Sequence, residues 1–324
     1  MKKRYLSILL VLALCLGLTI AALASEDTGE EVVDEPSYTE EIIEEAEPAH
    51  DGATIIDSGT CGDGLTWELD DEGTLTISGI GILKPTLSAP WTIYLETIAS
   101  VVIEPGVTVI ASHAFFNSKS LKSVTIPDSV VVIGREAFAN CTGLTSITIP
   151  DGVTEIGIGA FCGCTSLTEV HIGSGVIRIG EETDYDYSHS NILGESIFAG
   201  CVALINLTVS DDNPVYHSSG NCIIETASKT LVNGCAGSEI PNDGSVTSIK
   251  EYAFFGTGLS AITIPAGVET IETRAFYNCA SLTTVVLSDG LTSIGDSVFY
   301  GCTDLTSVVL PDGLVSIGAS AFSG

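Results

Sequence analysis

The sequence predicts a β-rich solenoid, in which repeats of about 23 residues stack on a small N-terminal β cap. Three observations support this fold class. Segments that begin at Leu121, Leu144 and Leu282 repeat one pattern of apolar residues. Each copy opens with alternating apolar and polar residues, which is the period of a β-strand. One such unit cannot bury its own apolar row, whereas stacked units bury it against one another.

The chain begins with the pattern of a secretory signal peptide over residues 1–24. Three basic residues at positions 2–4 precede an apolar stretch, and Ala22-Leu23-Ala24 fits the small residues that flank a cleavage site. Residues 25–53 follow as an acidic segment. Their like charges and scarce apolar side chains predict a disordered spacer, because such a segment cannot bury enough surface to offset the entropy of ordering.

The overall charge limits the partners that this chain can have. Its formal net charge is −31 at pH 7, which argues against nucleic acid and anionic membrane surfaces because both are polyanions. Beyond the N-terminus, no apolar run approaches the roughly 18 residues of a membrane span, so we expect no membrane insertion after signal removal. Acidity can also serve solubility alone, and that alternative stays open.

Residues 54–97 are predicted to form the β-rich cap module. Apolar and polar residues alternate on both sides of an acidic turn at residues 70–73, which is the signature of a β-hairpin. Trp67 and Trp91 are expected in the core of this module, because tryptophan is highly buried on average.

The solenoid is predicted over residues 98–324. Five of the eight intervals between copies are 23 residues, and the longer intervals indicate insertions at residues 181–196 and 211–234. The copies begin at Ile98, Leu121, Leu144, Leu167, Leu204, Cys235, Leu259, Leu282 and Leu305. In the copy that begins at Leu144, the fixed apolar slots are Ile147, Ile149, Val153, Ile156, Ala160, Phe161 and Cys164.

Each copy is predicted to contain a strand, a turn and a second apolar segment. Pro-Asp or Pro-Asp-Gly ends the strand, since proline cannot donate to a ladder. A glycine after Ile133 and Ile156 suits a second bend. If the copies stack, Phe138 must lie over Phe161 in register.

The segment SVTIPDSVVVIGREAFANCTGL resembles the BspA-type, or Treponema pallidum-type, leucine-rich repeat of bacterial surface proteins. The resemblance covers about residues 98–324. It rests on the Ile-Pro after the strand, the Ile-Gly, the Ala-Phe and the Cys before the next Leu. Residues 211–232 look like a hairpin variant of that family, and residues 58–91 look like its N-terminal module.

The resemblance implies a secreted or wall-attached protein with a binding role, and it names no ligand. Two copies depart from the pattern: the copy that begins at Leu204 lacks the Ala-Phe, and the next copy has Cys235 in the Leu slot. The chain stops at Gly324, 20 residues into a repeat, without a polar cap. Solenoid ends need covering, so we expect the sequence to be part of a longer protein.

Nine of the ten cysteines remain after signal removal, and five of them occupy one repeat slot. These five are Cys141, Cys164, Cys201, Cys279 and Cys302. We expect a buried ladder of free thiols, because cysteine behaves as a small apolar residue. Neighbours such as Cys141 and Cys164 are near bonding distance, so a disulfide stays an alternative. Cys162 is one residue out of the slot and is expected to point elsewhere.

The sequence offers no pattern of catalytic, metal-binding or cofactor-binding residues. Cys162-Gly163-Cys164 lacks the second pair that a zinc site needs, and no glycine-rich phosphate loop is present. We therefore expect that the chain binds no metal and no cofactor and that it is not an enzyme. In the first insertion, Asp184 and Asp186 alternate like the start of a calcium loop, but the glycine and the final acid are missing, so a solvated loop is favoured.

The outward residues of the stacked strands form the predicted ligand-binding face. We expect them to make one continuous surface rich in Ser and Thr, although Thr is also a common exposed strand residue without a binding role. The candidate contact residues are Thr125, Ser146, Thr148, Glu169, His171, Asn206, Thr208 and Thr263. A secondary contact loop is predicted at Tyr185, Tyr187 and His189, since Tyr and Ser are typical of binding loops.

The predicted function is non-catalytic binding of an extracellular macromolecule by a secreted or cell-surface protein, with adhesion as one form of it. A protein ligand is favoured over a glycan, because the sequence gives the strand face no exposed aromatic residues for sugar stacking. Two alternatives remain: a structural stalk, and an accessory region that presents a catalytic or anchoring module outside this chain.

Overall fold

The computed structural model describes residues 52–83, 89–181 and 196–324. The predicted signal peptide and nearly all of the predicted spacer, at residues 1–51, lie outside these ranges, and the boundaries proposed for them stay predictions. Within the described ranges, no helix has the length and apolar character that crossing a membrane requires.

The first described segment is a small antiparallel sheet. Its strands are β1 (Ile55–Gly62), β2 (Leu65–Asp70) and β3 (Thr74–Gly79), followed by the short β4 (Gly81–Ile82). The hairpin between β2 and β3 closes where the Gly73 N–H donates to the Asp70 carbonyl at 3.1 Å. Trp67 and Trp91 are buried with ring centroids 6.2 Å apart, as their predicted core role requires. A 3-10 helix, Thr92–Tyr94, leads into the solenoid.

The first block of the solenoid, residues 98–209, winds regularly. Its strands are β5 (Ser100–Ile103), β6 (Val107–Ile110), β7 (Ser123–Thr125), β8 (Val132–Ile133), β9 (Ser146–Ile149), β10 (Glu155–Gly157), β11 (Glu169–Ile172), β12 (Arg178–Glu181) and β13 (Asn206–Val209). Odd-numbered strands lie on one side, called the front, and even-numbered strands form a parallel sheet on the other side, called the back. β5 continues the cap sheet in parallel with β3.

A hairpin then precedes the second block, residues 235–324. The hairpin strands are β14 (Tyr216–Ser219) and β15 (Cys222–Glu225), and the strands that follow are β16 (Thr230–Asn233), β17 (Ser248–Ile249), β18 (Ala261–Ile264), β19 (Thr270–Ile271), β20 (Thr284–Leu287), β21 (Ser293–Ile294), β22 (Ser307–Val309) and β23 (Ser316–Ile317). β18, β20 and β22 are front strands, whereas β14, β15, β16, β17, β19, β21 and β23 form one seven-stranded sheet.

Stacked aromatic rings run through both blocks, as the repeat spacing predicts. Phe138 and Phe161 are fully buried, and their ring centroids lie 5.5 Å apart with an interplanar angle of 2°. In the second block, Phe276 stacks on Phe254 at 4.6 Å and on Phe299 at 5.2 Å. The copies therefore shelter one another's apolar side chains, which confirms the solenoid.

The five cysteines of the shared slot are buried beside these rings. Each thiol donates to the backbone carbonyl of the Phe one coil earlier; the Cys141 thiol reaches Phe115 O and the Cys164 thiol reaches Phe138 O, both at 3.2 Å. All nine cysteines of the described ranges are buried free thiols. Burial raises the pKa of Cys201, which keeps that thiol protonated and able to donate. The expected ladder of free thiols is thus present.

The repeated glycines have a different cause from the one expected. Gly134 and Gly157 do not have positive φ angles. A Cβ on Gly134 would lie 2.5 Å from the Ser112 nitrogen, and one on Gly157 would lie 2.7 Å from the Arg135 nitrogen. These glycines are required by the close approach of neighbouring coils and not by a bend. Residues with a left-handed backbone conformation lie instead two positions before or after a stacked Phe, as does Glu136 with φ 51°.

The prediction of one continuous front surface is wrong. The front strands fall into three sheets, because β7 ends the cap sheet and the hairpin separates β13 from β18. The hairpin occupies the edge of β13: Val209 N–H donates to Ser218 Oγ at 3.0 Å and Leu207 N–H donates to Asn221 Oδ1 at 3.4 Å. The backbone groups that a following front strand would pair with are therefore used by side chains of the hairpin.

Candidate binding faces of the solenoid

Six of the eight predicted contact residues come together on β9, β11 and β13. We call them the front patch: Ser146, Thr148, Glu169, His171, Asn206 and Thr208. Ser146, Glu169 and Asn206 are direct partners across the three strands, and Thr148, His171 and Thr208 form the next row. The intervening residues, such as Val170 and Leu207, are fully buried. Strand alternation thus points the six polar side chains away from the core.

Hydrogen bonds between strands hold both rows of the front patch. Asn206 Nδ2 donates to Glu169 Oε1 at 2.9 Å. The Thr208 hydroxyl donates to the Val170 carbonyl at 3.2 Å, and its oxygen lies 3.0 Å from His171 Nδ1. The direction of the hydrogen bond between Thr208 and Nδ1 follows from the tautomer of His171. Nε2 of His171 is then the ring nitrogen left to meet a ligand.

Asp151 adds a fixed negative charge next to this patch. It follows β9 in the Pro-Asp-Gly turn, and its Oδ1 accepts the Ser174 backbone N–H at 2.6 Å. That hydrogen bond lowers the pKa of Asp151, with a smaller contribution from the charge of His171. Asp151 and Glu169 make the patch acidic, while amide, imidazole and hydroxyl groups supply donors.

The other predicted contact residues lie elsewhere. Thr125 is exposed on β7, in the cap sheet, and Thr263 is exposed on β18, beyond the hairpin. Thr263 lines an open groove with Glu239 and Ile240. The secondary contact loop at Tyr185, Tyr187 and His189 lies outside the described residues.

The arrangement of the front patch suits recognition through many hydrogen bonds. Glu169 and Thr148 are exposed, and His171 and Thr208 are half-buried on a sheet whose inner face is packed. In the described part of the chain, no three His, Cys, Asp or Glu side chains are grouped to hold a metal ion.

A second surface was missed by the sequence reasoning. We call it the aromatic corner: Tyr252, Phe255, Tyr277 and Tyr300. Phe255 meets Tyr277 edge to face at 5.4 Å, and Tyr277 stacks on Tyr300 at 4.9 Å. Tyr300 is 38% exposed and the other three are half-buried. The expectation that the strand face lacks exposed aromatic residues does not concern this corner, because its rings lie outside the front strands.

The signal for this corner is present in the repeats, in the residue directly after each stacked Phe. We call these positions the outer column. Its members in the first block and at its end are Phe116, Ala139, Cys162 and Ala199, and those in the second block are Phe255, Tyr277 and Tyr300. Because the slot varies between copies, a search for fixed apolar positions passes over it. Aligning the copies on the Phe would have revealed three consecutive aromatic residues.

One family model matches the chain. The description of that family is "BspA type Leucine rich repeat region", and six copies match over residues 93–192 and 225–324. These two ranges include both solenoid blocks except for the segment around the hairpin. No protein among the curated sequences matches the chain.

Solved structures of bacterial repeat proteins are similar to this chain. A leucine-rich repeat protein from Eubacterium ventriosum is 20% identical, with 83% of this chain and 94% of that chain covered and a TM-score of 0.51, which shows a common fold. A leucine rich cell surface protein from Faecalibacterium prausnitzii is 27% identical, covering 83% and 86% with a TM-score of 0.42. A T. pallidum leucine rich repeat protein is 22% identical, covering 76% and 91% with a TM-score of 0.39.

Proposed function

Because the chain belongs to the BspA-type leucine-rich repeat family, we propose that it is a non-catalytic binding protein whose front patch holds a macromolecular ligand. The ligand is an extracellular protein in preference to a glycan. Sugar rings are recognised by stacking on open aromatic faces, and the front patch offers hydroxyl, amide, carboxylate and imidazole groups without an aromatic platform.

The observation that carries this proposal is the register of six polar side chains on three paired strands. Glu169 is held by Asn206, and His171 is held by Thr208, before any ligand arrives. A preformed surface loses little side-chain entropy when it binds, so more of the contact energy is available for affinity. The hairpin limits the patch on one side, because it occupies the edge of β13.

The proposal includes export to the cell surface or the surrounding medium. Its support is the pattern of residues 1–24, where a basic start, an apolar stretch and Ala22-Leu23-Ala24 are typical of a signal peptide. The test is mass spectrometry of the protein that cells release or display. A mature N-terminus at about Ser25 supports export, and retention of the intact N-terminus inside cells contradicts it.

The binding proposal is tested by capture with matched variants. The mature chain and the variant Thr148→Arg are immobilised, and proteins captured from host extract and from bacterial surface extract are identified. Thr292→Arg is the control, because Thr292 is an exposed threonine of the second block, just before the back strand β21. We expect a captured protein that is lost with Thr148→Arg and kept with Thr292→Arg. Equal capture by all three chains contradicts a role of the front patch.

A structural stalk is the second candidate, and the continuous aromatic stacking favours it. A row of rings such as Phe115, Phe138 and Phe161, at 5.1 and 5.5 Å, links successive coils through the core. A stalk needs this interior and makes no use of the front patch. Under this alternative, Thr148→Arg leaves every biological activity of the full-length protein unchanged.

A further inference from the structure

The aromatic corner is a surface that the proposed ligand contact does not use. Its tyrosines lie in the second block, whereas the front patch lies on β9, β11 and β13 of the first block. The same outer column in the preceding coils holds Ala139, Cys162 and Ala199, which are all buried. A half-exposed run of aromatic residues in three consecutive coils is therefore a local feature and not a requirement of the repeat.

The ring geometry limits what this corner can bind. The Tyr277 ring is perpendicular to the Phe255 ring, with an interplanar angle of 85°, and is stacked on the Tyr300 ring. Tyr277 thus packs against two aromatic rings of the protein, and Tyr300, at the end of the run, is the most exposed of the four. Interfaces between proteins are enriched in tyrosine, so a half-exposed run of tyrosines favours a protein partner.

The corner already holds one cation of the protein itself. The Arg274 guanidinium carbon lies 5.6 Å from the centre of the Tyr252 ring, and Nη1 donates to the Tyr252 hydroxyl at 2.5 Å. The Glu251 carboxylate lies 3.8 Å from the same Nη1. Tyr252 and Glu251 thus bind a guanidinium of the protein itself, which is an example of the kind of contact that an incoming arginine would make with a neighbouring tyrosine.

The negative charge of the second block favours a partner segment with positive charge. Residues 235–324 contain nine Asp and Glu residues, and Lys250 and Arg274 are their only Lys and Arg residues. Acidic surroundings attract a cationic segment and raise its rate of association. Tyr300 is available for such a segment because Ser323, the next residue of the outer column, is too small to cover its ring.

We propose that the aromatic corner is a docking surface for an arginine-rich segment of a partner protein, with Tyr277 and Tyr300 as its contact residues. Arginine fits better than lysine, because its planar guanidinium stacks on aromatic rings and is more weakly hydrated. The acidic residues of the second block provide attraction, and the tyrosines provide the preference for guanidinium over ammonium.

The test uses two peptides of equal charge on the full mature chain. Fluorescein-labelled nona-arginine and nona-lysine are titrated with the protein, and fluorescence anisotropy gives both dissociation constants at physiological salt. We expect nona-arginine to bind more tightly than nona-lysine. In the double variant Tyr277→Ala and Tyr300→Ala, nona-arginine should bind about ten-fold more weakly, while nona-lysine changes little.

Two controls keep the proposal falsifiable. Phe116→Ala removes an aromatic residue of the same outer column in the first block and should preserve the preference for arginine. Tyr300→Ser gives this coil the residue that the next coil has at Ser323. It leaves Phe255 and Tyr277 in place, so it tests the corner even if the double variant fails to fold. Circular dichroism and thermal unfolding verify that each variant is folded.

Three outcomes overturn the proposal. Equal affinity for both peptides, or an arginine preference that survives in both tyrosine variants, means that the acidic chain attracts cations without the corner. Binding of a neutral cello-oligosaccharide that is lost in Tyr300→Ser means that the corner is a glycan site. Each result is independent of the capture experiment on the front patch, because none of the variants lies on β9, β11 or β13.

Discussion

The two solenoid blocks share an interior and differ on the outside. Both contain a row of stacked phenylalanines and a row of thiols that donate to phenylalanine carbonyls, at 3.2 Å for Cys164 and 3.0 Å for Cys279. The outer column holds buried Ala139 and Cys162 in the first block, and Tyr277 and Tyr300 in the second. Stacking between coils thus constrains the residue types at the inner positions of the repeat. The outer positions are free to vary and can form different binding surfaces in the two blocks.

The join between the blocks shows how the interior survives an interruption. After the hairpin, Gly234 N–H donates to Ala253 O at 2.9 Å, as the N–H of a stacked Phe does to the next coil, and the Phe254 ring fills the space that a side chain on Gly234 would need. Gly200 N–H donates to Phe255 O at 3.1 Å, so coils on either side of the hairpin are also bonded directly. We therefore expect the blocks to unfold as one unit despite their divided front sheets.

The largest effect is expected from opening the aromatic stack. Phe138→Ala removes a fully buried ring that contacts both Phe115 and Phe161, and it should lower the free energy of unfolding by about 3–5 kcal/mol. Chemical denaturation measures the loss. Phe276→Ala is the counterpart in the second block, with rings at 4.6 and 5.2 Å, and should cost a similar amount.

Hydrogen exchange in these two variants tests whether the two blocks unfold as one unit. If the blocks unfold together, Phe138→Ala weakens protection of amides in both β9 and β20. Loss of protection confined to the first block would show that the hairpin separates two independent units, since repeat arrays can lose cooperativity at a weak interface.

A smaller loss is expected at the join. In Gly234→Ala the new Cβ would lie 2.0 Å from Cε1 of Phe254, whose side chain is fully buried. Overpacking of this kind costs about 1–3 kcal/mol. Gly267→Ala is the matched control, because its Cβ would lie 3.4 Å from the nearest atom, the Val246 carbonyl oxygen. Equal melting temperatures of the two variants would mean that the Phe254 ring does not fill the space beside Gly234.

The comparison also separates what the sequence predicts from what it leaves open. The spacing of Leu144, Phe161 and Cys164 predicted the interior, because stacked coils repeat the same neighbours at every level. The division of the front surface could not be foreseen in this way. It depends on Asn221 and Ser218 bonding to β13, and a hairpin that occurs once provides no repeated pattern from which to read that contact.

The candidate site was predicted in part for the same reason. Strand alternation placed His171 beside Thr208 and Glu169 beside Asn206, because register follows from equivalent positions in two copies. The aromatic corner was missed, because Tyr277 and Tyr300 occupy a slot that is not constant. Gly134 was assigned the wrong role, because distance between coils is not visible in a single copy.

A gain of stability is expected where the first block departs from the thiol ladder. Ser118 occupies the Cys slot, is fully buried, and its hydroxyl has no hydrogen-bond partner among the described residues. Ser118→Cys replaces this hydroxyl with a group that tolerates burial and should stabilise the chain by about 1 kcal/mol. Thermal unfolding under reducing conditions measures the change. A lower melting temperature than the wild type would contradict the interpretation of the slot as apolar.

The smallest effect concerns Glu136, which occupies the same left-handed position in the first block as Arg274 does in the second. Hydrogen bonding to His113 and the nearby charges of His113 and Arg135 lower the pKa of Glu136, although burial opposes the shift. A carboxyl whose folded-state pKa is lowered stabilises the fold above the unfolded pKa of about 4.3, and this contribution is lost as the pH falls through the lower value. Glu136→Gln should therefore lower the melting temperature at pH 7, and the difference from the wild type should narrow between about pH 5 and about pH 3. A difference in melting temperature between Glu136→Gln and the wild type that does not vary with pH would mean that the Glu136 carboxylate charge contributes nothing.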